Sequence, residues 1–329
     1  MTLRWATIAA LAACLTAPTA RADRILFDIT DLGSLPGASG FEARDINSSG
    51  QIVGIYRGGS FFYSQGRMTR LDTGVGTAIN DAGQTPNGGL VDTDINDRGQ
   101  TVGVQSYPQS DGPPFIHATL TTDGTAIDIH TLTPRWSSEA QGVNNRGQVV
   151  GLLNSSDGAS PFFYSDGMMI DLGLRHRAAY AVNDHGQVVG GAWSASVGAF
   201  LYDDGVVTEL GSLGGTWSAA FDINLSGDIV GEASTGTEYH AFLYRDGQMN
   251  DLNDLIPPDT GWTLVGAYGI NSRSEIVGRG FMSDGEQRAF VLRPRAVPEP
   301  STLALISMGL AALACRRSRW SKPDPPTSG

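Results

Sequence analysis

Apolar residues between 23 and 296 come in short runs, cut by Gly, Asn and Asp, and no run holds a helical period. The runs repeat. Ile46-Asn47-Ser48-Ser49-Gly50-Gln51-Ile52-Val53-Gly54 returns at 95–103, 143–151, 182–190, 223–231 and, with Ser274 in place of the Gly, at 270–278. The anchoring residues are Asn47, Asn96, Asn144, Asn183, Asn224 and Asn271. A second motif follows each: Phe61-Phe62-Tyr63, then 117–120, Phe162-Phe163-Tyr164, 199–202, 240–244 and 288–292. After most of these an Asp-Gly or Gln-Gly pair leads into a run ending near Asp-Leu. Runs rich in Val, Ile, Phe and Tyr, bounded by Gly and Asn, predict strands. Asn-x-x-Gly suits a type I turn with Gly last, and Asp-Gly a two-residue hairpin. Each unit thus predicts four strands.

Four-stranded units of this length predict an all-β, six-bladed β-propeller. Residues 74–91, where Ile79-Asn80-Asp81-Ala82-Gly83-Gln84 begins a further copy and dissolves, read as a long connection; a seventh, degenerate blade is the alternative. The last unit lacks a fourth strand, since 289–292 runs straight into Arg293-Pro294. The opening 25–35 matches the fourth-strand ending 209–213 almost residue for residue. Residues 25–32 are therefore expected antiparallel to 288–293, closing the last blade from both chain ends and leaving no open edge.

The units resemble the HAF family of extracellular repeats, named for the triplet seen here at His240-Ala241-Phe242. The resemblance runs over most of 26–292, is best from 209 to 252, and is poorest at 74–91. It implies an exported repeat protein and no established reaction.

The ends read as targeting segments. Residues 1–22 have a positive start at Arg4, an apolar stretch, and small residues before a cleavage point ahead of Asp23, the layout of a signal peptide. Leu11-Ala12-Ala13-Cys14 also fits a lipoprotein box, which stays open as the alternative. Residues 297–320 carry Pro298-Glu299-Pro300, an apolar run at 302–315, and Arg316 and Arg317 directly after it. At ~1.5 Å per residue that run reaches about 21 Å, short of the ~30 Å hydrocarbon core, which suits a transient anchor. The order of these parts resembles the PEP-CTERM sorting signal of Gram-negative bacteria that make exopolysaccharide. That resemblance implies an exosortase-type partner acting on Pro298, Glu299, Pro300, Arg316 and Arg317, with transient membrane insertion. Residues 321–329 form a polar tail. An ordinary C-terminal anchor is the other reading of this segment.

Charge narrows the partners. Setting aside six terminal bases and two terminal acids, residues 23–297 hold 32 acids against 16 bases. That argues against nucleic acid or anionic lipid as a partner through a basic face. Both cysteines, Cys14 and Cys315, lie in the end segments, so the middle has no disulfide, thiol nucleophile or Cys-based metal site.

Chemistry is hard to find in one dimension. Asp-x-Asn-x-x-Gly at Asp45, Asp94 and Asp222 resembles a calcium loop, but Ser49, Arg98 and Ser226 stand where another acid is wanted. A turn in which Asn bonds its own backbone accounts for it. The histidines have no metal-ligand spacing, and no nucleophile elbow, phosphate loop or dinucleotide fingerprint occurs. No catalytic residue, metal or cofactor is expected. Trp136, Trp193, Trp217 and Trp262 fall near connections, where aromatics beside acids suit glycan stacking as well as plain packing. The leading expectation is an exported, non-enzymatic repeat protein of the cell surface or exopolysaccharide matrix. The alternatives are a glycan- or protein-binding propeller and a polysaccharide hydrolase or lyase.

Overall fold

The computed structural model describes residues 26–71, 76–86, 92–108, 114–131, 137–155, 158–192 and 198–295. The chain divides into a body, 1–294, and a tail, 295–329, of which only Arg295 is described. The expected signal peptide 1–22, the apolar run 302–315 and the residues Pro298, Glu299, Pro300, Arg316 and Arg317 lie outside the described residues. Among those described, no helix is long and apolar enough to cross a membrane.

The described part of the body is all-β and propeller-like. β1 (Phe27–Asp31) precedes the units. β2 (Glu42–Ile46), β3 (Ile52–Tyr56), β4 (Gly59–Ser64) and β5 (Arg67–Leu71) form one antiparallel sheet. β6 (Asp92–Ile95), β7 (Thr101–Tyr107), β8 (Phe115–Thr122) and β9 (Thr125–Asp128) form the next. The third is β10 (Ser137–Val143), β11 (Val149–Ser155), β12 (Gly158–Ser165) and β13 (Met168–Asp171). Then come β14 (Arg177–Val182), β15 (Val188–Ala192), β16 (Ala199–Asp203) and β17 (Val206–Gly211), followed by β18 (Ser218–Ile223), β19 (Ile229–Ser234), β20 (Tyr239–Arg245) and β21 (Gln248–Asp251). After a short 3-10 turn at Leu252–Asp254, β22 (Trp262–Ile270), β23 (Ile276–Met282) and β24 (Gln287–Pro294) complete the body.

The expectation of six separate blades is corrected. Four sheets have four strands each, and β14–β21 form one eight-stranded sheet, joined where Gly191 of β15 pairs with Ala219 of β18. The cause is a missing side chain. A Cβ on Gly191 would lie 2.5 Å from the Ala219 Cα, whereas the same place after Val-Gly holds Ile55, Val104, Leu152, Glu232 or Arg279 elsewhere. Only Gly lets the two backbones meet.

The ring closes as the sequence predicts. β1 pairs with β24 in antiparallel register, from Phe27↔Pro294 to Asp31↔Phe290. Phe27 is fully buried among Phe290, Leu292 and Leu264, and Leu32 packs with Val291 on the other side.

Packing follows one rule across the units. In five of the six units the Gly of the Val-Gly pair sits opposite a Phe of the third strand, Gly54↔Phe61, Gly151↔Phe162, Gly190↔Phe200, Gly231↔Phe242 and Gly278↔Phe290, while Gly103 faces Thr119. At Gly151 a Cβ would fall 2.0 Å from the Glu139 carbonyl oxygen and 2.9 Å from the Phe162 ring, so the ring takes the room the glycine leaves. Five apolar clusters fill the spaces between successive units, from β6–β9 round to β2–β5. Among the described residues, none joins β2–β5 to β6–β9. There residues 76–86 intervene, and the following unit carries Thr101, Thr119 and Thr121 where the others carry Val or Ile, Phe, and Tyr or Leu. Core positions of its second and third strands thus turn polar at the boundary where, among the described residues, no apolar cluster reaches a neighbouring sheet.

Candidate functional site

Each of the six first strands ends in an Asn turn, and these meet a seventh such turn at Asn80. In each, the amide of the fourth residue donates to the Asn carbonyl, as Gly50 does to Asn47 at 3.0 Å. The Asn side chains then join one unit to the next. Asn47 Nδ2 donates to the Asn80 carbonyl, Asn80 to Asn96, Asn96 to Asn144, Asn144 to Asn183, Asn183 to Asn224, Asn224 to Asn271, and Asn271 back to Asn47. The distances run from 2.8 Å, at Asn96 and Asn144, to 3.2 Å at Asn224. All seven side chains are buried. Asn80, read from sequence as part of a connection, fills one of the seven places.

The turn ring rims a cavity of about 240 Å³. The residues after the asparagines link its edge: Ser48 N–H donates to Asp81, Asp81 to Asp97, Asp97 to Asn145 and Asn145 to Asp184, each through Oδ1 at 2.7–2.8 Å. Two residues before the Asn stand Asp45, Ala78, Asp94, Gly142, Ala181, Asp222 and Gly269. At Gly142 the room is limited: a Cβ there would meet the Tyr180 carbonyl oxygen at 2.7 Å.

The three aspartates are interlocked with the backbone. Asp45 accepts from Ile46 and from Ile79 of the next turn, Asp94 from Ile95 and Val143, and Asp222 from Ile223 and Ile270, all at 2.7–2.8 Å. Each carboxylate thus staples its own turn to the next. They keep partial access to the channel, but burial pushes their pKa values up, to about 6 at Asp45, about 7 at Asp94 and about 8 at Asp222. Charge from Asp45 adds to the rise at Asp94 and Asp222, and the backbone hydrogen bonds oppose it. Among the described residues the lining holds several aspartates and no Lys or Arg, so the mouth favours cations over anions.

One residue further back, consecutive first strands bring Tyr180, Phe221 and Tyr268 together as tilted rings, with centroids 5.5 and 5.2 Å apart, and Arg44 lies 4.5 Å over the Tyr268 ring. Arg279 approaches the same ring and pairs with Glu42 and Glu232 at 3.3 and 3.4 Å. Burial raises the Tyr268 pKa. This arc was missed in the sequence. Its signal is the residue three before each Asn, which occupies a β-bulge in these strands and is therefore free of the ladder.

Two histidines hold equivalent places in their units. His117 Nδ1 meets Asp128 Oδ2 at 2.8 Å, and His240 Nδ1 meets Asp251 Oδ2 at 2.6 Å. Ser160 and Arg288 hold the same slot and bond Asp171 and Asp31, so the slot ties third strand to fourth in four units. Arg288–Asp31 does so with β1 as the fourth strand. Of the connection tryptophans, Trp217 lies edge-on to the exposed Tyr239 at 5.3 Å and Trp262 packs on Phe290, while Trp136 and Trp193 lie outside the described residues. Among the described residues no group of three His, Cys, Asp or Glu is placed to hold a metal ion.

Solved structures similar to the chain are distant. The β-propeller domain of the Trilobed protease from Pyrococcus furiosus, described as having an open velcro topology, is 16% identical over 63% of this chain and 66% of that one, with a TM-score of 0.39. YCF48 bound to D1 peptide is 11% identical over 83% of this chain and 96% of its own, at 0.46. The extracellular domain of the one component system BT4673 from B. thetaiotaomicron is 12% identical over 80% of this chain and 39% of its own, at 0.41. No curated protein matches the chain. Residues 296–319 match the PEP-CTERM protein-sorting motif, so the chain carries the signal of exosortase-type sorting at its C-terminal end.

Proposed function

We propose that the chain is an exported, non-enzymatic repeat protein of the HAF type, sorted by an exosortase-type enzyme to the cell surface or exopolysaccharide matrix of a Gram-negative bacterium. The observation that carries this is the sorting motif at 296–319. In the same reading the eight-stranded sheet counts as two blades, giving six strand-bearing blades with the Asn80 turn in a seventh place. The sorting residues are Pro298, Glu299, Pro300, Arg316 and Arg317, and the segment 302–315 inserts only transiently. The turn ring supports a structural role, because its carboxylates and amides are consumed in joining units rather than aimed at a substrate. The test is fractionation of cells with and without an exosortase. A chain shortened at its C-terminus and found outside only when the enzyme is present supports the proposal; identical size and location in both cells overturns it.

A second reading, a glycan- or protein-binding propeller, is favoured by the exposed Tyr239 beside Trp217. A saturable ligand on a glycan array supports it. Loss of polysaccharide viscosity on incubation would instead indicate a hydrolase or lyase.

A further inference from the structure

A second cavity, about 420 Å³, lies at the seam where the last unit meets the first. Arg273, Glu275 and Arg293 enter it from the last unit, and Gln51, Ser64 and Gln65 from the first. Its location has a topological cause. In other units the third strand turns back through a two-residue hairpin, but β24 runs on to Pro294 because β1 supplies its fourth strand.

Two observations set this cavity apart. First, the residue three past the third-strand Phe position normally bonds the side chain that follows the Asn turn: Gln100 to Thr122, Gln148 to Ser165, Gln187 to Asp203 and Arg245 to Asp228. In the first unit the corresponding Gln51 and Ser64 form no such bond, and both residues line the cavity. Second, Arg293 spends only Nε on Glu275, at 3.0 Å, and its two amino groups bond no described residue. Arg273 is half-exposed and is braced by Glu275 and the Ser48 carbonyl. Burial pushes the Glu275 carboxyl up, but hydrogen bonds from Asn271 and Arg273 and the nearby guanidinium charges outweigh it and hold it below its ordinary value. Two fixed cations against one anion leave a net positive pocket on a strongly acidic body.

We propose that this cavity binds a sugar carrying an oxyanion, a carboxylate or a phosphate, with the guanidinium groups of Arg293 and Arg273 on the anion and Gln51, Ser64 and Gln65 on the hydroxyls. A guanidinium fork matches either oxyanion, and the volume falls in the ordinary range for small ligands. Among the described residues no aliphatic side chain lines the cavity, which disfavours fatty acids and other apolar anions. The ligand class rests on the binding reading above; the site itself does not depend on sorting.

The full-length chain, held in a mild detergent, is titrated calorimetrically with glucuronate, glucose 6-phosphate, glucose and inorganic phosphate. At least one anionic sugar saturates, at least tenfold tighter than glucose and than inorganic phosphate, and the tighter of the two identifies the anion. Arg293→Gln weakens it at least tenfold with the melting temperature kept; Ser64→Ala, which leaves every charge in place, weakens it severalfold. Absence of saturation by both anionic sugars, equal binding of glucose or of phosphate, or an Arg293→Gln chain that binds unchanged overturns the proposal. Equal binding of glucose sinks this site while leaving the broader glycan-binding reading intact.

Discussion

Replacing Asn144 with Ala removes one link of the turn ring, and the structure fixes what is lost. Asn144 Nδ2 donates to the Asn183 carbonyl at 2.8 Å and to Gln148 Oε1 at 2.7 Å, while Oδ1 accepts from Arg146 and Gln148, both at 3.0 Å. Four hydrogen bonds at ~0.5–1.5 kcal/mol net each set a span of about 2–6 kcal/mol. The bonds share one side chain and are not additive, so about 3 kcal/mol is the expected loss. At ~2–4 °C per kcal/mol, the midpoint should fall by about 6–12 °C. Asn144→Asp keeps both Oδ1 bonds and deletes both donors, while placing a charge against the Asn183 carbonyl. It should be destabilised as well, with the turn itself retained. Urea unfolding followed by tryptophan fluorescence measures both. A loss under about 1 kcal/mol for Asn144→Ala, the cost of an ordinary cap, would refute the idea that the ring is a joint between units.

The channel carboxyls give a pH dependence of definite sign. Their folded pKa values lie above the unfolded value, so the stability they contribute is full below about pH 4 and is lost as pH rises through about 6 to 8. Asp222→Asn should flatten the decline in stability between about pH 4 and pH 8; an unchanged slope in denaturant melts contradicts the assignment. Asp228 and Glu275 act oppositely: burial raises them but arginine contacts outweigh it, so their contribution is lost as pH falls through the acid range. Glycine substitutions should separate two causes. Gly151→Ala forces a Cβ into the Glu139 carbonyl and Phe162 and should cost several kcal/mol or prevent folding, whereas Gly247→Ala, in open space at φ 76°, should cost about 1–2 kcal/mol. Equal melting temperatures for the two would contradict the packing account.

What the sequence revealed and hid follows from the range of each interaction. Strands and hairpin turns are local, and Asp166-Gly167, Asp204-Gly205 and Asp246-Gly247 all take the left-handed pair that their composition predicts. The closing strand was legible because 25–35 copies a fourth strand, so likeness replaced distance. The Asn ring was not, since its links join residues 16 to 224 positions apart and Asn80 lacks the strands that mark the other copies. The partners of His117 and His240, Asp128 and Asp251, were hidden because only the hairpin register brings residues 11 apart side by side. The fused sheet turned on one absent side chain, at Gly191, which no repeat pattern flags.

The central claim is that the chain's own beginning closes the body on β24, in one register. Residues 26–295 contain no cysteine, so with Cys14 and Cys315 changed to Ser an engineered pair reports cleanly. Thr30 and Val291 lie directly opposite. Opposed residues in such a ladder sit ~4.5–5.5 Å apart at Cα, within disulfide reach, while a partner two or more residues off register does not. The account predicts that Thr30→Cys with Val291→Cys crosslinks within one chain under mild oxidation, and that Thr30→Cys with Arg288→Cys does not. A crosslink formed by the offset pair and not by the matched one, or by neither, would contradict it.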